Sequence, residues 1–242
     1  EIRLSLVGSE MCIRDRDKAM QNTLSIFADR KQEIEFYFSI MVEIDNGSPN
    51  IQTIDNTRFY KIMKSNFLLM LYNLVEACIV SGMMEIYEDL KNDNCSYNQV
   101  IREIQDIWSK YKINEIYGPA TERVAYENRV QEIIRDITTN APIILSKDAL
   151  EISGNLNAKK IKNICDKHRI RYRLATPGES LERVKRERNS LAHGDVSFSD
   201  CARDLTISDL ENIKDEVILF LTGILDGMKN YYDQKLYKLP TT

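Results

Sequence analysis

Residues 67–80 form a nearly unbroken apolar run, interrupted only by Asn73 and Glu76, inside a helical periodicity that extends from 57 to 91. A helix that is apolar nearly all round must be covered by neighbours on several sides, so this segment predicts a central buried helix. The run falls short of the roughly 20 residues needed to span a bilayer, and no membrane is expected as a partner. The neighbours should also be helices. With 9 Gly and 5 Pro in 242 residues, the chain has about half the average content of turn formers, too few for a turn-rich sandwich. At 43% hydrophobic and 29% charged residues it has the composition of a folded globular protein, not of a disordered one.

Apolar residues recur at helical spacing over 21–45 (Leu24, Phe27, Ile34, Phe38, Met41), and Asn46, Gly47, Ser48 and Pro49 stop that helix. Further helices are expected over 97–112, from Thr121 and Glu122 to about Thr139 after a break at Gly118 and Pro119, and over 157–168. A long closing helix over 207–237 is introduced by Thr206 and Asp209 at capping-box spacing. Residues 141–156 are the least helical part, with 142–145 readable as a short strand. The expectation is an all-α helical bundle with long central helices and a small irregular insertion around 141–156. Without an internal repeat or a long linker, residues 17–242 read as one domain. The string Leu6, Val7, Gly8, Ser9, Glu10, Met11, Cys12, Ile13, Arg14, Asp15 resembles a translated sequencing adapter, so residues 1–16 are expected to be a non-native leader, with Met20 a candidate start.

The five cysteines, at 12, 78, 95, 165 and 201, include no closely spaced pair, which points to a reducing, cytoplasmic compartment rather than a disulfide framework. With two histidines and no spaced cysteines or HExxH, neither a metal nor another cofactor is expected. Formal net charge is −4, yet residues 159–188 hold eleven Lys and Arg against Asp166, Glu179, Glu182 and Glu187. That local excess of cations is where an anionic partner would bind. Its candidate contacts are Lys167, Arg169, Arg171 and Arg173, with Tyr172 between the arginines as a possible stacking side chain; a solvated basic face is the plainer alternative. His168, flanked by Lys167 and Arg169, is expected to be exposed.

Thr176, Pro177 and Glu179 read as N-cap, N1 and N3 of a helix that Gly194 terminates. At about 100° per residue, Leu181, Val184, Leu191 and Ala192 form its only apolar stripe, and Arg188 falls in the middle of it. A guanidinium at that position implies a carboxylate partner such as Glu76, a pocket, or an interface, because burying it unpaired costs several kcal/mol. Asn189 and His193 lie one turn apart beside the same stripe, with His193 at the accessible helix end.

Arg188, Asn189, Ser190, Leu191, Ala192 and His193 match the R-x4-6-H signature of HEPN domains. The wider context, from Glu182 to Gly194 with Ser197 and Phe198 following, resembles the branch of larger bacterial HEPN proteins named after cyanobacterial MAE loci. The helical segments 21–45 and 57–91, including Asn66, Phe67 and the run from Leu71 to Glu76, are similar to the same branch. The resemblance implies an all-α bundle and a homodimer that brings two motifs together. In many members it implies a metal-independent endoribonuclease of toxin or antiviral defence systems, with RNA as substrate and an antitoxin or defence-system protein as a possible partner. In that chemistry His193 is the general base or acid, Arg188 clamps the phosphate, and Asn189 orients the substrate or the histidine. A non-catalytic module that binds nucleotides, RNA or a protein is the competing expectation.

Overall fold

The computed structural model describes residues 20–47, 55–114, 123–152 and 154–240. The expected leader and the breakers at Ser48, Pro49, Gly118 and Pro119 lie outside these. Within them the protein is all-α: α1 Gln21–Asp45, α2 Asn56–Asn92, α3 Arg102–Asn114, α4 Arg123–Thr138, α5 Ala158–Lys167, α6 Ser180–His193, α7 Phe198–Cys201 and α8 Ile207–Asp233. Two 3-10 turns, Tyr97–Gln99 and Lys147–Leu150, complete the elements.

The helix predicted to be central is central. Phe67, Leu68, Leu71, Leu74, Val75, Cys78 and Ile79 are wholly buried, because α1, α6, α7 and α8 all pack on α2. Each fully buried side chain of this kind contributes about 1.5–3 kcal/mol relative to exposure. By length and composition alone α2 could cross a membrane, but more than half of its most apolar stretch is buried inside the bundle. α1 runs antiparallel to it: the Tyr37 hydroxyl donates to the Met63 carbonyl at 3.2 Å, and near the other end Thr23 donates to Glu85 through its backbone N–H at 2.7 Å. α8 closes the layer, with the buried Lys214 ammonium 3.1 Å from the Glu35 carboxylate of α1.

Three elements differ from the sequence reading, each through a tertiary contact. The helix expected over 97–112 is broken at Val100, which is extended (φ −103°, ψ 157°) because the chain end lies against it: Ile101 N–H donates to the Tyr237 carbonyl and Leu239 N–H to the Gln99 carbonyl, both at 2.9 Å. For the same reason α8 stops at Asp233 and not at 237. Lys235 takes a left-handed turn (φ 48°), and Tyr237 folds back so that its hydroxyl lies 2.6 Å from both the Asp89 and the Asp93 carboxylate, its one proton shared between them. Residues 142–145 form no strand. Ile143 and Leu145 are buried and Ile144 exposed, the alternation that suggested one. Among the described residues they pair through an isolated bridge from Pro142 to Ser96 and the Ile143 N–H bond to the Cys95 carbonyl at 2.7 Å.

After α5 the chain runs extended along α8, which admits it only because two positions there lack a side chain. A Cβ at Gly227 would sit 2.5 Å from the Arg171 carbonyl oxygen, and one at Gly223 would run into the Arg173 carbonyl. Alanine would gain about 1 kcal/mol of helix propensity, but a backbone carbonyl fixed in a packed segment cannot give way as a flexible side chain can. Gly227→Ala should therefore destabilise by a net of about 1–3 kcal/mol, seen as a lowered midpoint in thermal unfolding.

Candidate functional site

α6 begins three residues later than the sequence pattern suggests. Gly178 has φ +79°, outside helical space, and the Thr176 hydroxyl does not cap the helix but donates to Glu216 of α8 at 2.9 Å. The Glu216 carboxylate is the cap. It accepts the backbone N–H groups of Glu179 and Ser180 at 2.8 and 3.1 Å, together with the Ser180 hydroxyl. A carboxylate at this end satisfies orphan donors and meets the positive pole of the helix. Burial alone would raise the Glu216 pKa, but these hydrogen bonds outweigh it and hold the carboxyl below its usual range.

Leu181 and Val184 anchor the first turns of α6 in the core. Its far end closes on Gly194 (φ +75°), where Asp195 N–H reaches back to the Ser190 carbonyl at 2.9 Å. The last turn stands clear of the bundle: Ala192, expected in the stripe, is exposed, as is His193.

Arg188 is half-buried, as its place in the stripe requires, but not through an ion pair. No carboxylate among the described residues, Glu76 included, lies within ion-pair distance of its guanidinium. Its Cζ instead stands 4.7 Å from the ring centroid of Tyr72, on the central helix, a stack worth about 0.5–2 kcal/mol. One nitrogen, Nη1, donates to the Gly154 carbonyl at 3.2 Å and to Asn189 Oδ1 at 3.0 Å. Asn189 in turn donates from Nδ2 to Asn155 Oδ1 at 2.7 Å, and Leu156 N–H donates to the Tyr72 hydroxyl at 3.3 Å. A loop from the irregular insertion thus straps the motif helix to α2. The sequence reading names neither Gly154 nor Asn155 and gives Tyr72 no role; the only signal was a polar aromatic and a Gly-Asn pair inside an apolar run and a loop.

His193 has no polar partner among the described residues. It lies about 140° around α6 from Arg188 and only about 40° from Asn189, so Arg188 faces Tyr72 while His193 faces solvent. A family model described as HEPN_MAE_28990/-like HEPN matches residues 20–237. The chain belongs to this HEPN family. No curated protein and no solved structure matches it at a significant level.

The basic segment of this HEPN chain lies apart from the motif. Asp166 and residues 169–173 line a groove with Gly223, Asp226, Gly227 and Asn230 of α8, to which Arg188, Asn189 and His193 do not contribute. Arg171 and Arg173 alternate with half-buried neighbours after Arg169, which sits in the left-handed turn that ends α5 (φ 60°), and all three are exposed. Two of the expected cations are engaged: Lys167 with Glu151 at 3.2 Å, and Arg169, loosely, with Glu103 at 3.9 Å. Tyr172 is half-buried against Gly227 with its hydroxyl 3.2 Å from Asp166. Its Cα and Cβ pack on α8, and the half-buried ring lies between the two exposed arginines in sequence. Among the described residues, no group of three or more His, Cys, Asp or Glu could hold a metal ion.

His168 is the clearest departure from the sequence reading. Expected to be exposed, it is 2% accessible, because the turn that ends α5 carries it inward to Tyr87. Nε2 and the Tyr87 hydroxyl are 2.7 Å apart, and Nδ1 lies 2.7 Å from the Ile164 carbonyl. Burial lowers its pKa to about 4, below that of a free histidine near 6.5. The unfolded chain therefore binds a proton between these limits that the folded chain does not. Stability is full above about pH 6.5 and is lost as pH falls toward 4, at about 1.4 kcal/mol per pH unit. Urea unfolding at pH 7 and pH 5.5 should show this loss in the wild type and little of it in His168→Phe.

Proposed function

We propose that this HEPN protein is a metal-independent endoribonuclease that acts as a homodimer in the cytoplasm. Its service in a toxin or antiviral defence system is proposed on the family resemblance alone. The observation that carries the reading is the state of Arg188. Its guanidinium is half-buried on Tyr72, has no carboxylate partner among the described residues, and spends one of its three nitrogens on acceptors there. A structural arginine in that setting would be paired, whereas one that serves an oxyanion must keep donors free.

The chemistry follows from the residue types. His193 takes the proton of a ribose 2′-OH or returns one to the leaving oxygen, and Arg188 stabilises charge on the non-bridging oxygens as the 2′-oxygen attacks phosphorus. Asn189, fixed between Arg188 and Asn155, orients the group next to it. Because Arg188 and His193 diverge around α6, a second copy of the chain is the simplest way to complete one cleavage site. The exposed Arg169, Arg171 and Arg173 support RNA as the partner, since cations close together on one surface attract a polyanion. The four described cysteines are all free, in keeping with a reducing compartment.

Arg188→Ala and His193→Ala should each reduce cleavage of single-stranded RNA by about 100-fold or more, with helical circular dichroism unchanged and wild-type cleavage unaffected by chelator. Cleavage surviving in both variants would remove Arg188 and His193 from the chemistry, and no cleavage by the wild type would leave the protein as an RNA- or protein-binding module. Light scattering at micromolar concentration should give twice the mass of one chain; a stable monomer would remove the shared site.

A further inference from the structure

The hydrogen bonds around Arg188 run in one direction. Arginine can only donate, so the oxygen of the Asn189 amide must face Arg188 and its NH2 must face Asn155. The Asn155 oxygen must therefore accept, and its own NH2 is the end left over. The Gly154 carbonyl is also occupied by Arg188. Each side-chain oxygen in this chain of bonds thus already accepts one bond inside the protein, whereas whole N–H groups go unused. What remains is donors: Nε–H and Nη2–H2 of Arg188 and the NH2 of Asn155, none with an acceptor among the described residues. Asn155 is exposed, while its neighbour Leu156 is fully buried and bonded to Tyr72, so the loop holds the amide in place without covering it.

We infer that Asn155 is a substrate-binding residue, its amide NH2 and the free guanidinium edge of Arg188 forming an all-donor surface that takes the non-bridging oxygens of a phosphodiester. This rests on the reading of Arg188 as a phosphate ligand and adds to it a residue from outside the motif helix. An acceptor-only anion with two oxygens matches the surface, since a neutral hydroxyl or amide group would place its own donors against these. The site selects for phosphate without a second cation, because Asn155 contributes geometry and no charge.

The test is binding, by fluorescence anisotropy, of a single-stranded 2′-O-methyl RNA, which lacks the nucleophile and cannot be cleaved. Asn155→Ala should bind about five- to tenfold more weakly, the loss of one hydrogen bond at a solvent-exposed side chain. The slope of log K against log salt should stay as in the wild type, because no ion is released at an amide, whereas Arg188→Ala should lower it by about 0.7. If Asn155 served only to hold Asn189, its removal would cost nothing once Asn189 is gone. The same five- to tenfold loss is therefore expected for Asn155→Ala in an Asn189→Ala background. Equal affinity of Asn155→Ala and wild type, or a loss that vanishes in that background, overturns the inference and leaves the nuclease reading intact. An Asn155-dependent affinity without cleavage of natural RNA overturns the nuclease reading alone. A wild-type protein that does not bind the oligonucleotide overturns both.

Discussion

The middle turns of α2 present apolar side chains in every direction, and no single partner can cover them. Removing them from water takes α1 on one side and α6, α7 and α8 on the others, and that requirement fixes where the motif helix lies. α6 has little apolar surface of its own, with Leu181 and Val184 its only buried residues. It is held where α2 leaves room for it. Tyr72, part of the same buried run, then becomes the floor under Arg188. The core helix and the candidate site share one residue, so the packing that stabilises the bundle also sets the position of the guanidinium.

Polar groups from distant parts of the chain close the ends that packing leaves open. Glu216 caps α6 from α8. The Lys64 ammonium, 7% accessible, donates to the Leu205 carbonyl at 2.6 Å and so fixes the loop between α7 and α8 against α2. Asp93 gathers Lys235, Lys238 and the Tyr237 hydroxyl at the chain end. Burial works against that carboxylate, but these donors hold its pKa down to about 2. Each contact satisfies groups that a helix end or a reversed chain would otherwise bury unpaired. Each also explains a boundary that local propensity places elsewhere.

Around Arg188 the same satisfaction is incomplete on one side only. Gly154, Asn155 and Asn189 use their oxygens on protein donors, while Arg188 and Asn155 keep N–H groups without an acceptor among the described residues. The stack on Tyr72 lets the guanidinium lose water on one face without an ion pair that would compete with a ligand. Rigidity on the inner side and free donors on the outer side are the conditions under which a bound oxyanion costs least reorganisation.

Composition and periodicity were enough for the all-α class, for α1 to the residue and for α2 to within one at either end, because a long helix with a buried face repeats its signal over many turns. The anomalous arginine was also legible, since a charge at the centre of an apolar stripe is visible on a helical wheel. The surroundings of that arginine were not. Glu76 was the natural partner by charge, yet Tyr72 and a loop carbonyl 34 positions away hold it, and no local pattern encodes which loop crosses which helix. His168 read as solvent-exposed among lysine and arginine because sequence neighbours share charge but not direction: the turn at the end of α5 sends Lys167 outward and His168 onto Tyr87. The sequence by itself determined the helices and the residue types able to do chemistry, both of which follow from periodicity and side-chain identity. Only the tertiary structure decided the caps, the reversed chain end and the donors left free at Arg188, because each depends on a partner distant in sequence.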